Sequence, residues 1–110
     1  MGQYHKVYNL DKKEFINGHN IKNGLKLLEQ IGHEKSTSTA LFLLLANSNG
    51  RGGGDATGHK EIGRWAGDRI VIQGDYAEPH DTAFIDEGDK GEFREISDIV
   101  NSIFDSTFAE

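Results

Sequence analysis

The chain has 110 residues, a length typical of one domain, and we predict that residues 1–110 fold as a single domain. A formal net charge of −6 argues against a nucleic-acid partner, because nucleic-acid phosphates attract basic surfaces. The absence of cysteine excludes thiol catalysis, disulfides and thiolate metal ligands, which fits a cytoplasmic protein. The chain contains no run of about 20 apolar residues, so neither a membrane span nor a membrane partner is expected.

Two short strands are predicted near the start of the sequence. Residues 3–9 alternate between two faces, one carrying Tyr4, Lys6 and Tyr8 and the other carrying His5 and Val7. Residues 9–13 have the composition of a turn, and Glu14–Ile16 forms the return strand. A polar loop then ends at Gly24, and apolar residues at positions 25, 27, 28 and 31 predict a short helix that ends at Gly32.

The apolar run Ala40–Ala46 predicts a short helix at the centre of the fold. Leucine and alanine favour helices, and Ser36 or Thr37 can cap the first turn. Because the run is apolar on every side, we expect the helix to be buried on every side. A buried strand is the alternative, since periodicity cannot separate the two structures in so short a run. Residues Asn47–Gly50 are expected to end the helix.

A glycine-rich loop follows this predicted helix. Half of the 14 glycines lie between residues 50 and 67, which indicates backbone conformations that side chains would forbid. The loop is either a site where a ligand approaches the backbone closely or a mobile surface connection. We favour the first interpretation, because charged residues are interleaved with the glycines at Arg51, Asp55, His59 and Lys60.

The segment after the loop predicts a hairpin. Ala66–Asp68 has turn composition and joins Gly63–Trp65, which contains a core tryptophan, to a strand at Arg69–Gln73. On that strand, Ile70 and Ile72 are expected to face the core. The other face would form a polar floor, made of Arg69, Val71, Gln73 and Asp75.

The rest of the sequence predicts a short strand at Ala83–Ile85, a final strand at Glu92–Ile96 and a C-terminal helix. Ser97 is the expected N-cap of this helix, with Asp98 placed favourably against the helix dipole. One face of the helix packs on the core through residues at helical spacing, namely Ile99, Val100, Ile103, Phe104 and Phe108.

The glycine loop differs from the common phosphate loops, which follow a strand and open a helix. A nest of backbone N–H groups within it can still hold an anion, and arginine is a two-pronged donor suited to anionic groups. The predicted ligand-binding residues are Arg51, Gly52, Gly53, Gly54, Asp55, Arg64, Arg69 and Asp75. In this hypothesis the arginines bind the anion, and the aspartates accept hydrogen bonds from the ligand.

Catalysis has less support in the sequence. Side chains that bind divalent metals occur at Asp55, His59, Asp75, His80 and Asp81, but their spacing matches no metal-binding signature. Surface acids and histidines are the commoner explanation of such residues. We therefore predict no metal site, and we assign neither a cofactor nor a catalytic residue. A metal-assisted hydrolase that uses Asp55 and His59 is kept as an alternative.

Three motifs carry a resemblance to a known family: NLDKKE at 9–14, GRGGGD at 50–55 and GRWAGDRIVIQGDY at 63–76. With shorter similarities at 24–27 and 96–98, the chain resembles a family of small bacterial and phage proteins for which no activity is known. Similar sequences carry a second histidine just before the position of His19, where this chain has Asn17 and Gly18. That difference argues against a paired-histidine site, and the resemblance implies one folded unit but no chemistry.

These features together predict an α+β fold with a small, mostly antiparallel sheet, a buried central helix and an amphipathic C-terminal helix. The favoured function is non-catalytic binding of a small anionic or nucleotide-like ligand at the glycine loop. One alternative is a protein-interaction module, such as a phage-borne inhibitor or counter-defence protein whose acidic surface meets a basic partner. The partners to consider are therefore a small anion, another protein and a second copy of the chain.

Overall fold

The computed structural model describes residues 3–22 and 26–108. The strands are β1 (His5–Asn9), β2 (Glu14–Asn17), β3 (Ile70–Gly74) and β4 (Arg94–Glu95). The α-helices are α1 (Leu27–Gly32), α2 (Thr37–Leu45), α3 (Glu87–Lys90) and α4 (Ser97–Thr107), and a 3₁₀ turn occupies Gly18–Asn20. Leu25, which was predicted to begin the first helix, lies outside the described residues.

The four strands form one sheet in the order β3-β1-β2-β4. β1 pairs antiparallel with both β2 and β3, whereas β4 pairs parallel with β2. The predicted α+β class with a small, mostly antiparallel sheet is therefore confirmed. The direction of β4 is not imposed by a hairpin, because the chain passes through α1, α2, β3 and α3 between β2 and β4.

One face of the sheet, which we call the helix face, holds the main core. Val7 of β1 and Ile16 of β2 form a buried cluster with Leu44 of α2, Phe104 of α4 and Trp65. Trp65 is fully buried, as predicted. The two longest helices of the described chain therefore cover this face of the sheet.

The opposite face, which we call the loop face, is covered by the segment 76–93. Tyr8 of β1 packs there with Ile85 and Phe93. The side-chain amide of Gln73 donates to the Ile85 carbonyl at 2.9 Å and accepts from the Ile85 N–H at 2.8 Å. These two bonds attach the segment to β3 without a further strand, so the predicted strand at Ala83–Ile85 is wrong.

The predicted hairpin at Ala66–Asp68 is also wrong, because residues 60–67 form consecutive turns and not a strand. These turns return to the end of α2, where the N–H of Gly63 donates to the Leu43 carbonyl and the N–H of Trp65 to the Leu44 carbonyl, both at 2.8 Å. Carbonyl groups in the last turn of a helix have no partner within the helix. The segment therefore caps α2.

The helix α2 is confirmed, but the expectation that it is buried on every side is wrong. Ala40 and Leu44 are buried, whereas Phe42 on another side of the helix is 83% exposed. The sheet and α4 cover only the side of α2 that faces them, and no described element covers the opposite side. An apolar helix surface is therefore left in contact with solvent.

The predicted side-chain caps by Ser36 in α2 and by Ser97 in α4 are both wrong, because each hydroxyl bonds to a residue outside its helix. Ser36 lies at the N-cap position of α2 but makes no capping bond, and its hydroxyl donates to the Gln30 carbonyl at 2.9 Å. Ser97 is the first residue of α4, and its hydroxyl accepts from the N–H of Asn17 at 3.0 Å. Bonds to residues outside the helix replace the local bonds to the first helical turn.

The strand β3 is confirmed, but its two faces differ from the prediction. Ile70 packs on the main core as expected, whereas Ile72 is 49% exposed. The expected polar floor is closed, because Val71 packs beneath the segment 76–93 and Gln73 is buried by its bonds to Ile85. Within the described residues, no helix combines the length and the apolarity that crossing a membrane requires.

Candidate functional site

The glycine loop folds around the carboxylate of Asp55. One oxygen of this carboxylate accepts hydrogen bonds from the backbone N–H groups of Gly50, Arg51 and Gly52, at 2.7, 2.8 and 3.0 Å. The bond from Gly52, followed by the bonds from Arg51 and Gly50, lowers the pKa of Asp55. A nest of N–H groups is therefore present in the loop, and a carboxylate of the same chain occupies it.

Local conformation explains part of the glycine content of this loop. Asn49 closes the loop, since its side-chain oxygen accepts from the Ala56 N–H at 3.0 Å and its side-chain nitrogen donates to the Ala56 carbonyl. Gly50 and Gly54 have φ angles of +95° and +89°, in the left-handed region that glycine adopts without strain. A Cβ atom at any of residues 52–54 would lie in open space. No described atom therefore crowds these three glycines on the side where a side chain would project.

Glu14, the first residue of β2, is the centre of a largely buried charged cluster. Its carboxylate accepts from Arg64 Nε at 3.1 Å and from Trp65 Nε1 at 2.8 Å, with Arg94 Nη2 3.5 Å away. Arg64 also donates to Glu61 at 2.6 Å. Burial by itself would raise the pKa of Glu14, but the bonds from Arg64 and Trp65 outweigh burial and lower the pKa.

Arg69 and Asp68 hold the turn between β1 and β2. The carboxylate of Asp11 accepts from the backbone N–H, Nε and Nη2 of Arg69, at 2.7, 3.0 and 2.8 Å. Asp68 accepts from Lys12 Nζ at 2.5 Å and from Asn9 Nδ2 at 2.9 Å. The pKa of Asp11 is lowered by the bond from Arg69, and the pKa of Asp68 by the bond from Lys12.

The three predicted arginines thus differ in what they contact. Arg64 and Arg69 bind carboxylates near the turn between β1 and β2, and neither contacts the glycine loop through a hydrogen bond or ion pair between described residues. The Arg51 side chain is exposed and forms no ion pair within residues 3–22 and 26–108. A common hollow rimmed by all three guanidinium groups is therefore not formed.

A polar cleft of about 140 Å³ lies at one end of the loop face. Six of the side chains that line it matter for its chemistry, namely Tyr4, Lys6, Tyr8, His19, Asp75 and Lys90. Asp75 is the one predicted ligand-binding residue in the cleft, and its carboxylate accepts from the Tyr4 N–H at 3.2 Å. The rings of Tyr4 and His19 contact each other, with centroids 4.7 Å apart.

Tyr8 contributes a hydroxyl group that has no hydrogen-bond partner in the described part of the chain. The residue is only 3% exposed, it lines the cleft, and its hydroxyl makes no hydrogen bond to the described residues. Burial raises the pKa of Tyr8, although the nearby Lys90 acts in the opposite direction. The hydroxyl therefore keeps its proton at neutral pH and can donate a hydrogen bond into the cleft.

Two ammonium groups give the cleft positive charge. Lys6 Nζ lies 5.8 Å from the centre of the Phe15 ring and takes part in no ion pair within the described chain. Lys90 Nζ lies 3.0 Å from a carboxylate oxygen of Glu87, whose side chain is almost fully exposed. Lys6 faces Asn17 on β2 and Gln73 on β3, so the sheet fixes the base of its side chain.

This cleft was not predicted from the sequence. Strand alternation puts Tyr4, Lys6 and Tyr8 on one face of the first strand, which indicates a shared surface but not a binding site. His19 and Lys90 come from the 3₁₀ turn and from α3. No local pattern indicates that segments so far apart in the chain meet at Lys6.

The residues of the alternative hydrolase are occupied by structural bonds. His59 Nδ1 accepts from the Glu61 N–H at 3.1 Å, and His59 Nε2 lies 3.0 Å from Ser102 Oγ. In the neutral ring, Nδ1 as acceptor leaves the proton on Nε2, so His59 cannot act as the base for Ser102 in this arrangement. Among residues 3–22 and 26–108, no group of three or more His, Asp or Glu side chains is arranged to hold a metal ion.

The segments that carry the family resemblance meet in the structure. The motif at 9–14 and the first part of the motif at 63–76 are joined by the bonds of Glu14, Asp11 and Asp68. Those bonds give the motif residues a structural role in holding the turn between β1 and β2. Comparisons with protein-family models, with curated proteins and with solved structures find no match for this chain, so the resemblance stays a prediction.

Proposed function

We propose that this protein binds a small anionic ligand, without catalysing a reaction, in the polar cleft on the loop face. The observation that carries the proposal is the meeting of Lys6, Lys90 and the unpartnered hydroxyl of Tyr8 at one hollow. Ammonium and hydroxyl groups donate hydrogen bonds, and bonds to a charged acceptor are the stronger ones in proteins. The class of ligand is the one expected from the sequence, whereas its location differs from the glycine loop.

The ion pair between Lys90 and Glu87 does not block this role. The Glu87 side chain is 90% exposed, and an exposed ion pair of this kind contributes little to stability. A ligand anion that enters the cleft can therefore replace Glu87 at Lys90. Lys6 needs no exchange, because it forms no ion pair with a carboxylate of the described residues.

Asp75 adds a requirement to the ligand. Its carboxylate lines the same cleft and would repel a ligand that carried negative charge throughout. A ligand with an anionic group facing the lysines and a hydroxyl or amine facing Asp75 satisfies both ends. In this proposal Asp75 keeps the acceptor role that the sequence predicts.

The size of the cleft favours a small anion over a complete nucleotide as the ligand. Its volume of about 140 Å³ is well below the roughly 300–1,000 Å³ of pockets that enclose drug-sized ligands. One water molecule takes about 30 Å³ of liquid, so the cleft holds the equivalent of a few waters. A phosphate or a short carboxylate fits this space, and a nucleotide would insert only its phosphate.

The glycine loop is a less favourable place for the anion. The N–H groups of Gly50, Arg51 and Gly52 already bind Asp55, and a second anion would have to displace that carboxylate. The exposed guanidinium of Arg51 is then the charged donor that remains in the loop. An exposed, unsupported cation binds an anion weakly in water.

Inorganic phosphate, glycolate and adenosine monophosphate are suitable probes, because each combines an anionic group with a hydroxyl group. Their binding is measured by calorimetry and by thermal stabilisation. A bound ligand raises stability in proportion to RT ln(1 + [L]/Kd). We expect Lys6→Gln and Lys90→Gln each to weaken binding by about tenfold or more, since a charged hydrogen bond contributes about 1.5–3 kcal/mol. Lys60→Gln is the matched control, because Lys60 is exposed and lies outside the cleft.

The same series distinguishes the cleft from the glycine loop. Loss of binding in Arg51→Ala, with normal binding in Lys6→Gln and Lys90→Gln, would move the site to the loop. Equal binding in Lys6→Gln, Lys90→Gln, Lys60→Gln and Arg51→Ala would refute the proposal. Failure of every probe to bind the unmodified protein would refute it too. Tyr8→Phe is expected to weaken binding while leaving the fold intact, because it removes only the unpartnered hydroxyl.

A further inference from the structure

The surface around α2 and α1 exposes several large apolar side chains. Phe42 is 83% exposed, Leu28 is 81% exposed and Ile31 is 61% exposed, and Leu27 and Ile72 are also solvent-accessible. Soluble monomers seldom expose contiguous apolar surface of this kind, and where they do it commonly marks an interaction site. This surface belongs to the helix face, whereas the polar cleft lies on the loop face.

The helix α2 shows why this surface calls for a cover. No charged residue occurs from Thr37 to Leu45, and a helix that is apolar all round is normally buried all round. The protein buries Ala40 and Leu44 but leaves Phe42 in solvent. The uncovered side is therefore a consequence of the composition of the helix, and not of one misplaced residue.

The uncovered side of α2 combines a protruding group with a hollow. A hollow of about 410 Å³ is lined by Leu41, Phe42, Leu45 and Ala46. Leu41 and Leu45 are four residues apart, so they lie on one ridge of the helix, and Phe42 projects beside that ridge. A knob and an apolar hollow thus sit next to each other on the same surface.

We propose that two copies of this chain associate through α2. About a twofold axis, Phe42 of each copy enters the hollow lined by Leu41, Leu45 and Ala46 of the other copy. Such an interface is self-complementary, since the same surface supplies both the inserted group and the hollow that receives it. The interface requires no other partner.

The absence of charge on α2 argues against a basic partner at this surface, and the exposed Phe42 beside an apolar hollow then favours a second copy. The sequence predicted an interaction between acidic surface and a basic partner, but residues 37–48 contain no charged residue that such a partner would recognise. Interfaces between identical subunits are more apolar than the rest of the surface, and charged residues are depleted at their core. Repulsion between two chains of net charge −6 acts through the remaining surface and is screened over about 8 Å at physiological salt.

Sedimentation velocity over a wide range of protein concentration tests this inference. We expect the unmodified protein to form dimers at micromolar concentration, and Phe42→Lys to weaken the association at least tenfold. Phe42 is largely exposed in one copy, so the substitution should leave the circular dichroism spectrum and the melting of the monomer unchanged. Leu28→Lys is the matched control, because Leu28 is equally exposed but does not line the hollow.

A second measurement keeps the inference testable if the lysine variant folds poorly. In a mixture of labelled and unlabelled protein, isotope-filtered NMR should detect contacts between the Phe42 ring and the methyl groups of Leu41 and Leu45 of the other copy. A protein that stays monomeric at all concentrations would overturn the inference. Dimerisation that is abolished by Leu28→Lys but preserved in Phe42→Lys would also overturn the inference. The ligand proposal is independent, because Lys6→Gln is expected to dimerise normally.

Discussion

At the scale of single residues, Glu14 shows how a buried charge is retained in this protein. Its side chain is 7% exposed and has Arg64, Trp65 and Arg94 as donors. A buried carboxylate without such donors would be strongly destabilising. The indole N–H of Trp65 also finds its partner here, so one carboxylate satisfies both a cation and a core aromatic residue.

Glu14→Ala is expected to lower the free energy of unfolding by about 3 kcal/mol, because it leaves Arg64 and the Trp65 N–H without their main acceptor. Glu61→Ala is the control, since it removes the other carboxylate bound to Arg64 and leaves Glu14 in place. Its effect should be below about 1 kcal/mol, as for partly exposed ion pairs. Denaturant unfolding of both variants provides the measurement, and equal losses would contradict a special role for Glu14.

At the scale of the elements, the end of α2 depends on the conformation of Gly63. Gly63 has a φ angle of +88°, and a Cβ atom there would lie 3.0 Å from the Ala46 carbonyl oxygen. Its N–H caps the Leu43 carbonyl, so the residue must sit close to the helix. Both the backbone conformation and the close approach therefore require glycine at this position.

Substitution of three glycines by alanine separates these two requirements. Gly63→Ala is expected to cost about 2 kcal/mol or more, from the left-handed conformation and the contact with Ala46. Gly67 has a φ angle of +82° and open space around it, so Gly67→Ala should cost only the conformational part, about 1 kcal/mol. Gly53→Ala should be neutral or stabilise by up to about 1 kcal/mol. Thermal unfolding can rank the three, and a loss at Gly53 as large as at Gly63 would contradict this account.

The segment 76–93 shows where prediction of elements from the sequence fails. The apolar residues at 83–85 suggested a strand, but the partner of Ile85 is the side chain of Gln73 and not a backbone. A side-chain amide presents an N–H donor and a carbonyl acceptor side by side, so it can bond both the C=O and the N–H of one residue. The segment can therefore dock on β3 without strand conformation, and no local pattern distinguishes the two cases.

For the molecule as a whole, the carboxylates make the free energy of unfolding depend on pH. The pKa values of Asp11, Asp55 and Asp68 lie below the ordinary value of 3.8, and the pKa of Glu14 lies below 4.5. A carboxyl group whose pKa is lowered by folding contributes stability that is complete above its unfolded pKa. That stability is lost as the pH falls through the lower, folded pKa. These four groups therefore stabilise the fold at neutral pH.

We expect the free energy of unfolding to fall steadily as the pH is lowered from about 4.5. Chemical denaturation at a series of pH values measures this dependence directly. Glu14→Gln should flatten part of the decrease, because the amide does not titrate. Stability that rises as the pH falls below 4.5 would show that the bonds of these carboxylates do not favour folding.

The candidate site also depends on the whole molecule. Asp75 and the face of β1 that carries Lys6 were predictable, since both follow from the alternation of side chains along the predicted strands. Arg64 and Arg69 were assigned to a ligand because they lie beside the glycine-rich segment in an acidic protein. Their carboxylate partners lie far away in the sequence, with Arg64 separated from Glu14 by 50 positions. Charged side chains pair with opposite charges that lie nearby in the folded protein, and sequence patterns do not reveal which charges these are.

The elements with a local cause could be predicted from the amino-acid pattern. Hydrophobic periodicity and helix propensity act over a few residues, and they were sufficient for β1, β2, β3, α2 and α4. The partner of each polar group and the uncovered side of α2 depend on how the folded chain packs. The carboxylate of Asp55 in its own loop and the exposed ring of Phe42 both result from packing between distant segments. Burial and long-range contacts are properties of the folded chain, so the cleft and the apolar surface could be found only there.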